Sequence, residues 1–181
     1  MARQVGPPRD LGPACIVWDS AGTNLRFDPT FGTVTFRSED SVEDILHDEH
    51  GIVPVDAVFT GRTAALEVPM TSPNLLDLQV VVHDATAKKS SAKYKILWVP
   101  NVVGDRLYPG AKEVIIKPVI DQICGTDTSE WLYIFKAYPM AQFEIGWDNS
   151  GQRVYNVLFK VFPSDASGTP HNKMWRFGPA S

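Results

Sequence analysis

The stretch FGTVTFRSEDSVEDILHDEHGIVPVDAVFTGRTAALEVPM, which spans residues 31–70, decides the fold class of this 181-residue chain. Apolar and polar residues alternate after Phe31, which is the pattern of a strand that is buried on one face. Two further strand-like segments, residues 41–47 and 52–60, flank the charged segment Asp48–Gly51. The glycine at the end of that segment suits the positive φ of a tight turn, so the pattern predicts a long antiparallel hairpin.

The alternation also predicts which way the side chains of this hairpin point. After a bend at Gly61 and Arg62, a last strand runs from Thr63 to Met70. We expect the apolar members to face the core: Val34, Phe36, Val53, Val55, Ala57, Phe59, Ala64, Leu66 and Val68. The residues between them must face the other side: Thr33, Thr35, Arg37, Glu39, Asp56, Thr60, Thr63 and Glu67.

The rest of the chain predicts short strands, one helix and two irregular ends. Residues 1–13 read as a flexible N-terminal arm, residues 14–165 as one β domain, and residues 166–181 as a C-terminal tail. A helix is predicted near 72–83, where a proline occupies the first helical position. Further strands are predicted at 14–18, 94–99, 112–119, 130–137, 141–147 and 152–162. The fold class is therefore mainly β, an antiparallel β-sandwich with one packed α-helix.

Charge and composition exclude several classes of protein. The formal net charge is −4, which disfavours wrapping of nucleic acid because that binding needs cations that displace counterions. The N-terminus lacks the apolar segment of a secretory signal, and no apolar run has the length of a membrane span. We therefore expect a soluble protein that is made in the cytoplasm. Its two cysteines, Cys15 and Cys124, are too few for the disulfide framework of a small secreted domain, so we predict that both are reduced and buried.

No motif specifies an enzyme, a cofactor site or a metal site. The spacing in His47–His50 resembles some metal sites, but these residues straddle a charged turn and are better explained as solvated. His83 and Asp84 lie past a helix end, where a histidine interacts favourably with the helix dipole. Glu43 and Asp44 resemble an acid–base pair, yet carboxylates on hairpins usually solvate the surface. Phosphate-binding loops and nucleophile elbows are absent from the sequence.

Three aromatic residues, Trp131, Tyr133 and Phe135, alternate along one predicted strand. Exposed, they would form a stacking platform for bases or sugars. Leu132 and Ile134 lie between them, so the strand is apolar on both faces. We expect it to be covered on both sides, by the core or by another subunit.

The run from Asp48 to Gly61, its continuation from Arg62 to Met70 and the following helix resemble the long hairpin of bacteriophage tail tube proteins. The aromatic and glycine close of the chain, residues 174–178, resembles that family as well. The resemblance covers Phe31 to about Val82 and these last residues, whereas nothing matches between Asp84 and Glu130. It rests on apolar alternation with fixed Asp and Gly positions.

The resemblance implies a structural subunit of a virion tail. Members of this family form hexameric rings that stack into a tube, through which the genome DNA passes without specific binding. Their long strands join those of neighbours into a closed inner barrel, which removes exposed sheet edges. Expected partners are further copies of the chain and terminator, baseplate or tail tip, tape measure and sheath proteins. The predicted inter-subunit hairpin comprises Val42, Ile45, Leu46, His47, Asp48, Glu49, His50, Gly51 and Ile52, and the polar set that begins with Thr33 would line the lumen.

Two alternatives stay open. A terminator or distal tail ring protein shares the sandwich fold but forms a single closed ring instead of a filament. A carbohydrate-binding β-sandwich would use exposed tryptophans, so sugar-dependent quenching of tryptophan fluorescence would distinguish it.

Overall fold

A computed structural model describes residues 14–20, 22, 25–27, 33–46, 54–71, 75–90, 93–120, 123–142, 154–165 and 172–179. These residues form strands, one short α-helix and two 3₁₀ turns, at Tyr108–Gly110 and Thr128–Glu130. The helix α1 spans Leu75–Val81, inside the predicted range of 72–83. The strands are β1 (Ala14–Trp18), β2 (Leu25–Phe27), β3 (Thr35–Leu46), β4 (Pro54–Thr71), β5 (Thr86–Ser90), β6 (Lys93–Trp98), β7 (Lys112–Ile120), β8 (Ile123–Cys124), β9 (Leu132–Gln142), β10 (Val154–Phe162) and β11 (Trp175–Phe177).

One antiparallel sheet of nine strands dominates the described residues. Its order is β2-β1-β7-β9-β10-β4-β3, with β8 attached to β7 and β11 attached to β9. The sheet curls into a half-barrel, and β5 and β6 form a separate two-stranded sheet. The prediction of a mainly β, antiparallel fold with few helices is confirmed. The division into two packed sheets is not confirmed, because the strands that supply the described core all belong to one sheet.

The core lies on one side of the curled sheet. Leu66 and Val68 of β4, Ile134 of β9 and Phe159 of β10 are all fully buried there. Each such side chain stabilises the fold by roughly 1.5–3 kcal/mol relative to exposure in water. Val81, in the last turn of α1, joins the same cluster and anchors the helix to the sheet.

Pro69 and Pro139 lie inside strands of the sheet, at points where the strand is paired on one side only. β7 ends opposite Ala137, and Pro139 of β9 follows with only β10 beside it. β3 begins opposite Glu67, and Pro69 of β4 likewise pairs only with β10. A missing N–H is tolerated at such edges. The predicted break between strands 130–137 and 141–147 is therefore wrong, since β9 continues through Pro139.

Other segments differ from the sequence-based expectation. No strand is predicted between the helix and residue 94, yet β5 lies there, and the predicted C-terminal tail contributes β11 to the sheet. The predicted arm, 1–13, the predicted turn at 48–51 and the residues 148–151 between two predicted strands lie outside the described residues. In the part of the chain that is described, no helix has the length and apolar character of a membrane span.

The prediction that both cysteines are reduced is wrong, because Cys15 and Cys124 form a disulfide across 109 residues. Cys15 in β1 pairs with Lys117 of β7, and Cys124 in β8 pairs with Val119 of β7. The common partner strand brings the two Cα atoms to 5.7 Å, which is the usual separation in a disulfide. Because the two cysteines are 109 residues apart, no local pattern in the sequence indicates this contact.

We expect the bridge to stabilise the fold considerably, because it closes a long loop in the unfolded chain. Replacing both cysteines, as Cys15→Ala with Cys124→Ala, should lower the free energy of unfolding by about 2–4 kcal/mol. Urea denaturation of the variant and of the unreduced protein measures the difference. Two free thiols in alkylation and mass spectrometry of the unreduced protein would contradict the bridge.

Candidate assembly surface

The distal half of the β3–β4 hairpin extends beyond the rest of the sheet. The last pair that β10 makes with β4 joins Lys160 to Ala65, and towards the tip of the hairpin β4 pairs only with β3. We call residues 42–46 and 54–60 the ribbon. The two strands predicted on either side of Gly61 and Arg62 are one strand, because β4 runs without interruption through both residues.

A β-bulge separates the ribbon from the body of the sheet. Ser41 pairs with Gly61, but the next residue, Val42, pairs with Phe59, so Thr60 is an extra residue of β4. Cross-strand partners lie on the same face of a sheet. The bulge therefore keeps Phe59 on the face that β4 turns towards the core, which a regular strand would not do.

The ribbon exposes apolar side chains although it belongs to a long strand of the core. Phe59 is 57% exposed and Val42 is 62% exposed. The prediction that Val55, Ala57 and Phe59 lie in the core is wrong, because no other strand covers them in the described structure. Val53 and residues 47–52 of the predicted inter-subunit hairpin lie outside the described residues. The exposed large apolar members of the ribbon are Val42, Ile45, Val55, Val58 and Phe59.

An ion pair holds the two strands together at the base of the ribbon. Asp40 lies opposite Arg62, and the guanidinium donates two hydrogen bonds to the carboxylate, from Nε and from Nη2. The hydrogen bonds from Arg62 lower the pKa of Asp40. The same guanidinium lies 5.8 Å from the centre of the Phe59 ring. The ion pair thus links the two strands at the base of the ribbon, next to the exposed Phe59.

A groove of about 520 Å³ opens beside this base. It lies between the start of the ribbon and the C-terminal segment, where Trp175 packs edge-on against Phe36 at 5.6 Å. Its lining includes Phe59, Arg62, Met174 and Trp175. Apolar and cationic groups therefore meet in one depression next to the ribbon.

The face of the sheet opposite the core, which we call the outer face, is polar along residues 35–39 of β3, whereas in the ribbon Ile45 and Val58 also lie on it. The pairs Thr35–Glu67, Arg37–Ala65 and Glu39–Thr63 all lie on it. Asp56 lies on the outer face as well, because it pairs with Ile45 on that face. Thr60 is the bulge residue, and Thr33 is an exposed residue before β3. Lys160, opposite Ala65, lies on the same face. Over β3, β4 and β10 the outer face carries the carboxylates of Glu39, Glu43, Asp56 and Glu67 and the cations of Arg37 and Lys160.

Both ends of the large sheet are open in the described structure. β3 has a neighbour only on its β4 side, and β2 has one only on its β1 side. Because β3 is 12 residues long, it leaves an extended row of backbone N–H and C=O groups on its free side. Natural proteins cover or shorten such edges, since they otherwise pair with other chains.

A second exposed apolar surface, the 96–103 patch, follows β6. Val103 is 90% exposed, the highest value among the exposed large apolar residues. The other members are Ile96, Trp98, Val99 and Val102. Several exposed large apolar side chains within one short segment favour a contact site.

Tyr133 of the aromatic strand Trp131–Phe135 is buried, whereas Trp131 and Phe135 are half-buried. Tyr133 is buried beside Val17 and Ile115, and the Arg176 guanidinium lies 4.4 Å from the centre of its ring. Trp131 donates from Nε1 to the carbonyl oxygen of Gly125 at 3.0 Å. A strand held in this way is no open platform for a sugar.

Comparisons with known proteins add no family assignment: neither a scan against protein-family models nor a search of curated proteins finds a match for this chain. The exposed ribbon, the open edges and the 96–103 patch are therefore the observations that bear on function.

Phe59 in the ribbon and Phe159 in the core strand β10 provide a matched test of the ribbon's exposure. Phe59→Ala should change the free energy of unfolding of the monomer by less than about 0.5 kcal/mol, as for an exposed site. Phe159→Ala, in the core, should lower it by about 3–5 kcal/mol. Urea denaturation at low protein concentration measures both. Equal losses would mean that Phe59 packs into the core.

Proposed function

We propose that this chain is the structural subunit of a phage tail tube, which assembles as hexameric rings that stack into a conduit for genome DNA. The protein would then be located in the virion tail, assemble in the host cytoplasm and catalyse no reaction. The single observation that supports this most is the ribbon, an extension of the core strand β4 that carries apolar side chains into solvent.

The ribbon favours assembly on energetic grounds. Val42 and Phe59, which share the core-side face of the ribbon, expose apolar area that is unfavourable in water, and covering it contributes roughly 25 cal/mol per Å². Because these side chains are already about half covered in the monomer, burial against a neighbour is worth on the order of 1 kcal/mol each. Every contact between neighbouring subunits contributes this free energy, so the total stabilisation grows with the number of contacts in a tube.

The open edges favour a closed ring. A sheet that ends in free strands on both sides can pair with neighbours on both sides, and repetition of one head-to-tail contact gives a ring when the rotation closes. Closure removes all free edges. In this proposal β3 of one copy continues into the sheet of the next, and the outer faces together form the inner barrel.

A weakly negative outer face suits a wall past which DNA moves. A basic wall would bind the phosphates strongly and in a salt-dependent way. On the outer face of β3, β4 and β10, the four carboxylates of Glu39, Glu43, Asp56 and Glu67 outnumber the two cations Arg37 and Lys160, so the field of this part of the face repels the duplex. The predicted lumen residues thereby acquire a physical role.

A terminator or distal tail ring protein of the same kind of tail is the second candidate. The same open edges support it, because they favour a closed ring whether or not rings stack. Negative-stain microscopy of the purified protein separates the two: filaments favour the tube, and single rings favour the alternative. Monomers at all concentrations would contradict both.

Removing the ribbon should abolish polymerisation without unfolding the subunit. Because Ser41 and Gly61 are paired, a two-residue Asn-Gly turn in place of residues 42–60 can connect them as a tight hairpin. We expect an unchanged circular dichroism spectrum and no tubes in negative stain. Glu43→Gln, which keeps the apolar ribbon, is the control and should still assemble. Normal tubes from the shortened variant would refute the role of the ribbon.

Reversing the charge of the outer face should slow DNA passage. In the variant with Glu39, Asp56 and Glu67 changed to Lys, tubes should form, but ejection should slow several-fold, about 10-fold at low salt. Ejection is followed by fluorescence of a DNA dye in a phage that carries the variant. The neutral variant with Gln, Asn and Gln at these positions should show a smaller effect. Unchanged ejection, with these positions open to labelling from outside assembled tubes, would remove them from the lumen.

A further inference from the structure

Beside the sheet, His83, Asp84 and Asp105 form a cluster that the assembly function does not use. His83 and Asp84 follow helix α1, and Asp105 lies in the segment between β6 and the 3₁₀ turn at Tyr108–Gly110. One ligand atom from each of the three residues lies within 4.8 Å of the others. An imidazole and two carboxylates are all good ligands for a divalent transition metal.

The imidazole is oriented with one nitrogen towards the carboxylates. Its Nδ1 atom is 2.6 Å from the hydroxyl oxygen of Tyr138. Its Nε2 atom is buried and has no hydrogen-bond partner, although the ring as a whole is partly exposed. The nearest charged atoms are Oδ2 of Asp84 at 3.6 Å and Oδ2 of Asp105 at 3.5 Å. Both distances are too long for an N–H···O hydrogen bond.

The same distances fit two ligands of one cation. Zinc binds nitrogen and carboxylate oxygen at about 2.0–2.2 Å, so two ligands in a tetrahedral shell lie roughly 3.3–3.6 Å apart. A cation between these groups would also use the lone pair on Nε2 and offset the repulsion between the carboxylates.

Neighbouring residues hold the cluster in place. The Tyr138 hydroxyl can accept a hydrogen bond from Nδ1–H, which leaves the lone pair on Nε2 and is the usual support for a metal-binding histidine. Gly110 lies against the Tyr138 ring, since a Cβ atom there would come within 2.8 Å of it. Asp84 has a φ of 54°, a left-handed conformation that aspartate tolerates better than most residues.

We propose that His83, Asp84 and Asp105 bind one zinc-class divalent cation, with Tyr138 as the residue that positions the imidazole. Water completes the tetrahedral shell. The cation connects the end of α1 to the segment that contains the 96–103 patch, so binding restrains that patch. This inference concerns the folded subunit and does not depend on the proposed tail tube function.

Zinc binding is measured by isothermal titration of the full chain, without an affinity tag and without reductant, so that the cysteines stay bridged. The chain has four histidines, and His47, His50 and His171 are competing ligands. We expect the variant with Gln at these three positions to keep one zinc per chain with unchanged affinity. Asp84→Asn, which tolerates the same backbone conformation, and Asp105→Asn should each weaken binding at least 10-fold.

Tyr138→Phe separates positioning from folding. The ring still packs on Gly110, so the melting temperature in EDTA should not change, whereas zinc affinity should fall about 10-fold or more. Failure of the wild-type chain to bind zinc at 1 mM would overturn the proposal. Binding that survives Asp105→Asn but is lost in the variant without His47, His50 and His171 would overturn it as well.

Discussion

The register of β4 is the constraint on which the rest of the structure depends. Near its C-terminal end β4 lies between β3 and β10, and there Leu66 and Val68 fill the core. A slip of one residue on either side would turn these side chains into solvent and bring Glu67 into the core. This cost fixes β3 and β10 relative to each other, and through β9 and β7 it orders the remaining strands.

The same strand generates the candidate assembly surface. β4 is 18 residues long, but β10 covers it only up to Ala65, so its other half has a single neighbour in the described structure. The bulge at Thr60 lies beyond the last residue that β10 covers, and it changes which side chains of β4 point to each face of the sheet. An exposed ribbon is therefore the direct consequence of one long strand that is paired to different extents on its two sides, and its apolar residues are available to another chain.

The opposite end of the sheet is held by different interactions. The disulfide between Cys15 and Cys124 joins β1 to the β7–β8 turn. Next to it, Gly125 donates its N–H to the carbonyl oxygen of Pro118 at 2.7 Å, while its own carbonyl accepts the indole N–H of Trp131. Pro118 has no N–H to complete the ladder, and Trp131 supplies the donor instead. This end is crosslinked by the disulfide and packed around Trp131, although the far side of β2 remains an open edge in the described structure.

Sequence alone determined the local features that depend on near neighbours. The alternation around Val34, Phe36, Leu66 and Val68 predicted the antiparallel hairpin and its buried face, because a strand has a period of two residues. It also placed Thr35, Arg37, Glu39 and Glu67 together on the other face, and the proline and apolar residues near 72–83 predicted the helix.

The tertiary structure decided which side chains are buried and which distant segments meet, because both depend on where one strand ends beside another. The exposure of Val55 and Phe59 follows from the end of β10, and the single curled sheet follows from the order of strands that are distant in sequence. The pairing of Cys15 with Cys124 and the meeting of His83 with Asp105 arise in the same way. Local periodicity records which face of a strand is apolar, but it carries no information about which distant segment lies against that face, or how far along it that segment extends.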